Sequence, residues 1–409
     1  MAASTKTFNF VARDAQGKTV KNSMEAPSSS VVASRLRDRG LTPLSVEDAT
    51  PRGLNAELKI PGMGESIGLK DVAILSRQLS TMIGSGLSLL RALSILVDQT
   101  ENKALASVVS EVRTDVETGR SFSHGLGRHP RVFPPIMINM VKAGEVGGFL
   151  DETLVSIAEN FEKEVALRGK IKSAMTYPVV VFCIAILGVA AMLLFIVPVF
   201  AQMFEGLGGD LPFATQVLVT LSTILKFGAP FIVVGLIGFG IWWKKNKHER
   251  RVREKIDPAL LKLPVFGKLI QKIAVARFTR NFGAMIRSGV PILQALDIVG
   301  QAAGNVVIED ATRAVQDSVR RGDTLAGPLA QHSVFPPMVV QMIAVGEDTG
   351  ALDEMLDKIA DFYDQEVEST TEQLTSLIEP IMIAVLGALI GGMVIALYMP
   401  IFKVFDLIG

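Results

Sequence analysis

The sequence is poor in the residues that carry most protein chemistry. It has one cysteine, Cys183, inside an apolar run, which excludes an internal disulfide and a cysteine-based metal site. Its four histidines, His124, His129, His248 and His332, form no H-E-x-x-H or similar arrangement, and surface or packing roles account for them. There is no G-x-x-x-x-G-K-[ST] run, hence no P-loop to cradle a nucleotide. The spaced glycines Gly62, Gly64 and Gly68 miss the dinucleotide-binding pattern and fall in a linker. No Asp, Glu, Lys or Arg interrupts the middle of the long apolar runs; such groups are the usual mark of transport or intramembrane proteolysis. Net charge is zero, so the total gives no reason to expect a nucleic acid partner. No apolar run precedes Ser173, so no cleaved signal peptide is expected, and the N-terminus is expected in the cytoplasm. Neither a cofactor nor a metal is expected.

What is present points to a membrane. Hydrophobic residues make up 49% of the chain and charged residues only 20%. That is too apolar for an ordinary soluble protein and too charged for a bundle made of spans alone. Three segments are long enough to cross a bilayer, which takes roughly 20 apolar residues. Ser173–Phe204 and Pro380–Phe402 are free of charge. The middle segment, Phe227–Trp243, is short, ends in two interfacial tryptophans, and draws on residues before Lys226. Lys and Arg crowd residues 244–272, and Arg168, Lys170 and Lys172 precede the first span, whereas 201–226 has only Lys226. The positive-inside rule then places both flanking domains in the cytoplasm and the 201–226 loop and the C-terminus outside.

Those flanking domains are copies of one another. Phe133-Pro134-Pro135, Gly144-Glu145-x-x-Gly148 and Leu150-Asp151-Glu152 recur as Phe335-Pro336-Pro337, Gly346-Glu347-x-x-Gly350 and Leu352-Asp353-Glu354, 202 residues later. The match continues into the apolar segments, where Pro178 and Pro198 answer to Pro380 and Pro400. Upstream, Gly86 answers to Gly289 and Gly119 to Gly322 at an offset of 203. A self-match this long is a duplicated domain. Within each copy, apolar residues recur at three- and four-residue spacings, as in Leu150, Leu154, Ile157, Phe161 and Val165, and are broken by glycine, which reads as short amphipathic helices. Residues 1–50 read as a small α/β module, with a strand at Phe8–Ala12, a turn near Gly17, and a helix over Ser28–Arg39 stopped by Gly40.

The expected organisation is therefore mainly α: N-terminal module 1–50, linker 51–68, first helical repeat 69–176, and span 177–203. An external loop 204–226, span 227–243 and basic juxtamembrane segment 244–272 follow. Second repeat 273–377, span 378–402 and external tail 403–409 complete the chain.

Acids crowd both repeats just after G-E-x-x-G. A solvated face, with acids favoured at a helix start, explains most of them. The alternative is a docking surface for a basic partner or an occasional cation, with Glu145, Asp151, Glu152, Glu347, Asp353, Glu354 and Asp357 as candidates. Gly387-x-x-x-Gly391 in the third span would let two helix backbones approach closely, within the chain or between protomers.

The run Lys170-Ile171-x-x-Ala174-Met175-x-Tyr177-Pro178, closing at Ile196-Val197-Pro198, resembles the signature of the type II secretion F proteins, the inner-membrane platforms of type IV pili and type II secretion. The second copy departs from it, with Glu372 and Glu379 where the first has Lys170 and Tyr177. The wording of the second copy, Val339 to Gly350 and Leu377 to Pro380, is nearer the pilus branch. The resemblance implies a non-enzymatic platform that couples a hexameric assembly or retraction ATPase to pilin insertion. Its implied partners are that ATPase, pilins or pseudopilins, other inner-membrane assembly proteins, the bilayer and further copies of itself. The alternatives are a secretion-system platform, an intramembrane prepilin-processing enzyme and a solute carrier. The last two suffer from the lack of polar residues in the spans.

Overall fold

The computed structural model describes residues 6–13, 19–26, 29–38, 41–48, 66–205, 211–247, 249–264 and 266–408. The turn near Gly17, the helix stop at Gly40 and the linker over 51–65 lie outside them. The chain divides into two units, Met1–Gly64 and Glu65–Gly409. In the first, β1 (Lys6–Arg13) pairs antiparallel with β2 (Thr19–Ala26) and β3 (Thr42–Asp48), in the order β2-β1-β3. Helix α1 (Ser29–Asp38) spaces Val32 and Leu36 four apart, and both are buried with Ala12.

In the second unit the duplication is drawn in helices. The first repeat is α2 (Leu69–Gly84), α3 (Leu89–Gln99), α4 (Lys103–Glu117), α5 (Phe122–Gly127), α6 (Pro135–Gly147) and α7 (Leu150–Ala191). Helix α7 passes through a π-helical turn, Met192–Ile196, into α8 (Val197–Glu205). Then come α9 (Phe213–Asn246) and α10 (Arg250–Leu261). The second repeat is α11 (Phe266–Arg287), α12 (Ile292–Ala302), α13 (Val306–Arg320), α14 (Ala326–Leu329), α15 (Pro337–Thr349) and α16 (Leu352–Ile408).

The repeated residues explain why the helices begin and end where they do. Asn102 and Asn305 cap α4 and α13 through their side-chain oxygens. Pro135 and Pro337 open α6 and α15, where a missing N–H costs little. In G-E-x-x-G the last glycine, Gly148 or Gly350, takes a left-handed φ of 77° or 72° to end its helix. The first glycine allows close passage: a Cβ on Gly144 would lie 2.6 Å from Thr153 Oγ1, and one on Gly346 3.0 Å from the Leu352 backbone. One continuous apolar core runs through both repeats, from Val72 and Phe133 to Phe278 and Tyr363.

Among the described residues, three helices are long and apolar enough to cross a membrane: Leu150–Met203, Phe213–Asn246 and Leu352–Pro400. Their most apolar stretches are almost wholly unburied by the rest of the chain, as lipid-facing surface must be. Several expected boundaries are corrected. The loop placed at 204–226 is helical from Phe213 onward, because Thr215, Ser222 and their neighbours continue the helix beyond the purely apolar part. The tail placed at 403–409 is helical to Ile408. Neither 176/177 nor 377/378 is a break, since α7 and α16 run unbroken from bundle to span across Pro178 and Pro380. Helix α11 starts at Phe266, ahead of the point equivalent to Leu69, so the basic segment 244–272 supplies the end of α9, all of α10 and the start of α11.

Candidate functional site

The repeated glutamates of G-E-x-x-G point inward. Glu145 accepts hydrogen bonds from the backbone N–H of Phe122 (2.5 Å) and Ser123 (3.0 Å), at the start of α5. Glu347 accepts from Leu325 (2.9 Å) and Ala326 (3.4 Å), at the start of α14. Unpaired N–H groups at a helix start carry partial positive charge, so a carboxylate there makes charge-assisted bonds. These two carboxylates are therefore helix caps, which corrects the expectation that they face a partner. Asp357 is likewise committed: it pairs with Arg287 where α16 crosses α11. Asp151 and Glu152 are exposed in the first turn of α7, and Asp353 and Glu354 begin α16, half-buried and exposed respectively. Glu354 holds Lys358 one turn on, at 2.6 Å, which pulls its pKa below the usual glutamate value. Of these acids, Asp151, Glu152 and Glu354 are thus the exposed ones, with Asp353 half-buried beside Glu354.

A second feature is the seam between the repeats. Lys163 pairs with Asp361 at 2.7 Å and Lys170 with Glu368 at 2.6 Å, so α7 and α16 lie side by side and parallel. Lys170 is thereby an inter-repeat tie, while Tyr177 is exposed and Pro178 buried. Each repeat also holds one equivalent internal pair between its first and last helix. Arg77 binds Glu162 through two nitrogens in the first, and Arg280 binds Asp364 in the second. The first pair is open to solvent. The second is covered by α7, whose Glu164 accepts from Arg277 and Arg280 and also holds Arg168 at 2.6 Å. Hydrogen bonding to Arg77 pulls the Glu162 carboxyl below its ordinary pKa. Burial pushes that of Asp364 up, against the opposing pull of Arg280 and Lys163.

The membrane part has its own polar pairing. Pro198 and Pro400 lack the N–H that would bond a carbonyl one turn back. In the π-helical register the carbonyl freed by Pro198 is that of Leu193, and it accepts the hydroxyl of Ser222. The carbonyl freed by Pro400 is that of Ala396, and it accepts the hydroxyl of Thr215. The two donors sit two turns apart on α9, so the unduplicated helix ties together equivalent points of the duplicated ones. Around them Val197, Leu218, Met393 and Leu397 form a small core, and Phe200 meets Tyr398 edge to face at 6.3 Å. Gly387 and Gly391 face open space: a Cβ at either would meet nothing within 4 Å. Close helix contact within the chain is therefore not their role, and any such contact is with something outside it.

Sequence reading missed Glu164, Arg280, Asp364, Thr215 and Ser222. Aligning the copies does set Arg77 on Arg280 and Glu162 on Asp364, which was a usable signal. Nothing in the sequence marks Thr215 or Ser222 as hydroxyls opposite the freed carbonyls. Among the described residues no group of three His, Cys, Asp or Glu converges as a metal site would.

Comparison with known proteins agrees with this architecture. The family model for "Type II secretion system (T2SS), protein F" matches residues 75–198 and 278–400, the two repeats with their spans. That for "Type II secretion system protein F, N-terminal domain" matches residues 1–47. A protein of Thermus thermophilus named "Type IV pilus assembly protein PilC" is 46% identical over 402 residues, covering 97% of this chain and 98% of its own. One of the same name from Pseudomonas aeruginosa is 37% identical over 380 residues, covering 93% and 100%. A "Type II secretion system protein F" of Xanthomonas campestris is 33% identical over 404 residues, covering 98% and 99%.

Proposed function

This chain belongs to the type II secretion system protein F family, and from that premise we propose that it is the inner-membrane platform of type IV pilus assembly. Full-length similarity to pilus assembly proteins, at higher identity than to secretion proteins, carries the choice of branch. In this reading the platform does no chemistry of its own. An ATPase on the cytoplasmic side, hexameric in the family, drives it, and pilins are its cargo in the membrane. The N-terminus and both repeats lie in the cytoplasm and the C-terminus outside, as the charge asymmetry demands. Helices α7 and α16 support the coupling, since each is one unbroken rod from aqueous bundle to span. Force on a repeat need not cross a flexible joint to reach the bilayer. The exposed acids Asp151, Glu152 and Glu354 are the proposed docking points, and Gly387 and Gly391 a contact between copies.

Deleting the gene, with no second copy elsewhere, should leave pilins processed but without fibres. Normal fibres would end the platform reading, and unprocessed pilins would favour the enzyme alternative. A stably inserted Asp151→Lys/Glu152→Lys/Glu354→Lys protein should restore few fibres, because docking between opposite charges is lost on reversal. Full restoration would rule out those acids as the docking surface.

A further inference from the structure

Where α7 leaves the bundle for its span, it forms a cleft of 410 Å³ with α11 and the turn before α13. Arg168 and Lys172 of α7, Arg277 of α11 and Asn305 are its polar lining, and Ile171, Met175 and Ile270 belong to its apolar wall. Lys172 is the last charged residue before the charge-free stretch Ser173–Phe204, so the cleft sits at the level of a bilayer surface.

The duplication gives an internal control. The equivalent cleft in the first repeat is lined by Asp71, Ile74, Glu101 and Asn102. At those positions the second repeat has Ala274, Arg277, Gly304 and Asn305. Two acids have gone, an arginine has arrived, and the capping asparagine remains. Gly304, at a φ of 75°, brings the turn to where a Cβ would lie 3.5 Å from Nη1 of Arg277. Charge does not cancel locally. Arg168, Arg277 and Arg280 share Glu164, Arg280 also holds Asp364, and Lys172 has no ion pair among the described residues. The cleft and the ion pairs behind it thus hold four cations and two carboxylates, with Arg168, Lys172 and Arg277 in the lining. Burial lowers the Arg277 pKa, against the opposing pull of Glu164.

We propose that this cleft binds the phosphodiester headgroup of an anionic phospholipid, with Arg168 and Lys172 at the phosphate and Ile171, Met175 and Ile270 against the first acyl carbons. The proposal rests on the membrane reading, but not on the pilus. An apolar wall beside the cations, at the mouth of a span, selects lipid over free phosphate. Anionic headgroups gain substantially from each basic residue near the surface. A bound lipid would wedge α7 against α11 at the seam.

The test uses full-length protein in detergent, given phosphatidylglycerol or phosphatidylcholine, with retained lipid counted by native mass spectrometry. Wild-type protein should retain phosphatidylglycerol in preference by about tenfold or more. Arg168→Gln/Lys172→Gln should lose that preference. Because Arg168 also holds Glu164, Lys172→Gln alone is the safeguard against misfolding, and should weaken the preference in a monodisperse protein. Lys262→Gln, outside the cleft, should keep it. Equal retention of both lipids by wild type, or an undiminished preference in monodisperse Lys172→Gln and in the double variant, overturns the proposal. Inorganic phosphate that competes at equal concentration overturns the lipid assignment. Fibre output is not read in this experiment, so its failure leaves the platform reading untouched.

Discussion

Arg77 and Arg280 occupy the same place in the two repeats and hold equivalent acids, yet they should respond differently to loss. The Arg77–Glu162 side chains are 39% and 44% exposed, and Arg280 only 5%. Arg77→Gln should therefore cost less than about 1 kcal/mol, as exposed pairs do. Arg280→Gln strands Asp364 and part of Glu164 in the seam and should cost about 3–5 kcal/mol. Acid separates them further. The Glu162 pKa is depressed, so its contribution is complete above the unfolded glutamate value of about 4.3 and is lost as pH falls through the folded value. The Asp364 pKa is raised, so that carboxyl favours folding at low pH and loses this as pH rises through its folded value. Thermal unfolding should show the Arg77→Gln deficit shrinking below the glutamate range. A deficit that is constant with pH would mean that Arg77 acts by packing.

At the scale of elements, the two hydroxyl–carbonyl bonds of α9 make a prediction that depends on proline. Thr215→Val keeps the shape and leaves the Ala396 carbonyl unbonded, which should cost about 0.6 kcal/mol and at most roughly 1.7, the range for such bonds between membrane helices. In Pro400→Ala, the new N–H serves that carbonyl, and Thr215→Val should then cost nearly nothing. A double-mutant cycle in detergent unfolding reads the difference, and equal costs in both backgrounds would show that the hydroxyl matters for another reason. Local signals fixed many element ends, because glycine and proline act through their own backbone: Gly86, Gly119, Gly148 and Pro135 were legible together with their copies. Reading failed where an element is set by distant partners. The start of α9 at Phe213 lies in a mixed polar stretch that is helical because Thr215 and Ser222 have carbonyls to meet. The caps at Glu145 and Glu347 were visible as repeated residues, but their targets lie more than 20 residues upstream, and exposed docking was the simpler reading of an acid.

For the whole molecule, parallel α7 and α16 with antiparallel α9 packed against both place both repeats on one side of the spans. Which side rests on the charge asymmetry. In a Cys183→Ser background, a cysteine at Gly208 should react with a membrane-impermeant reagent in intact cells, and one at Gly322 should not. The reverse pattern would invert the topology, and equal labelling would remove it.

The ties along the α7–α16 seam join residues 198 apart, whereas the duplication repeats at 202. Equivalent points are thus offset by four residues, about 6 Å at 1.5 Å per residue, and the contact between Phe200 and Tyr398 keeps that offset into the spans. The first repeat stands farther out and the second closer to the bilayer. The copies are two treads of a stair, not two tiles of a level floor. A flat partner with evenly spaced identical faces reaches the upper tread first, and must tilt or turn before it can press the lower one in the same way.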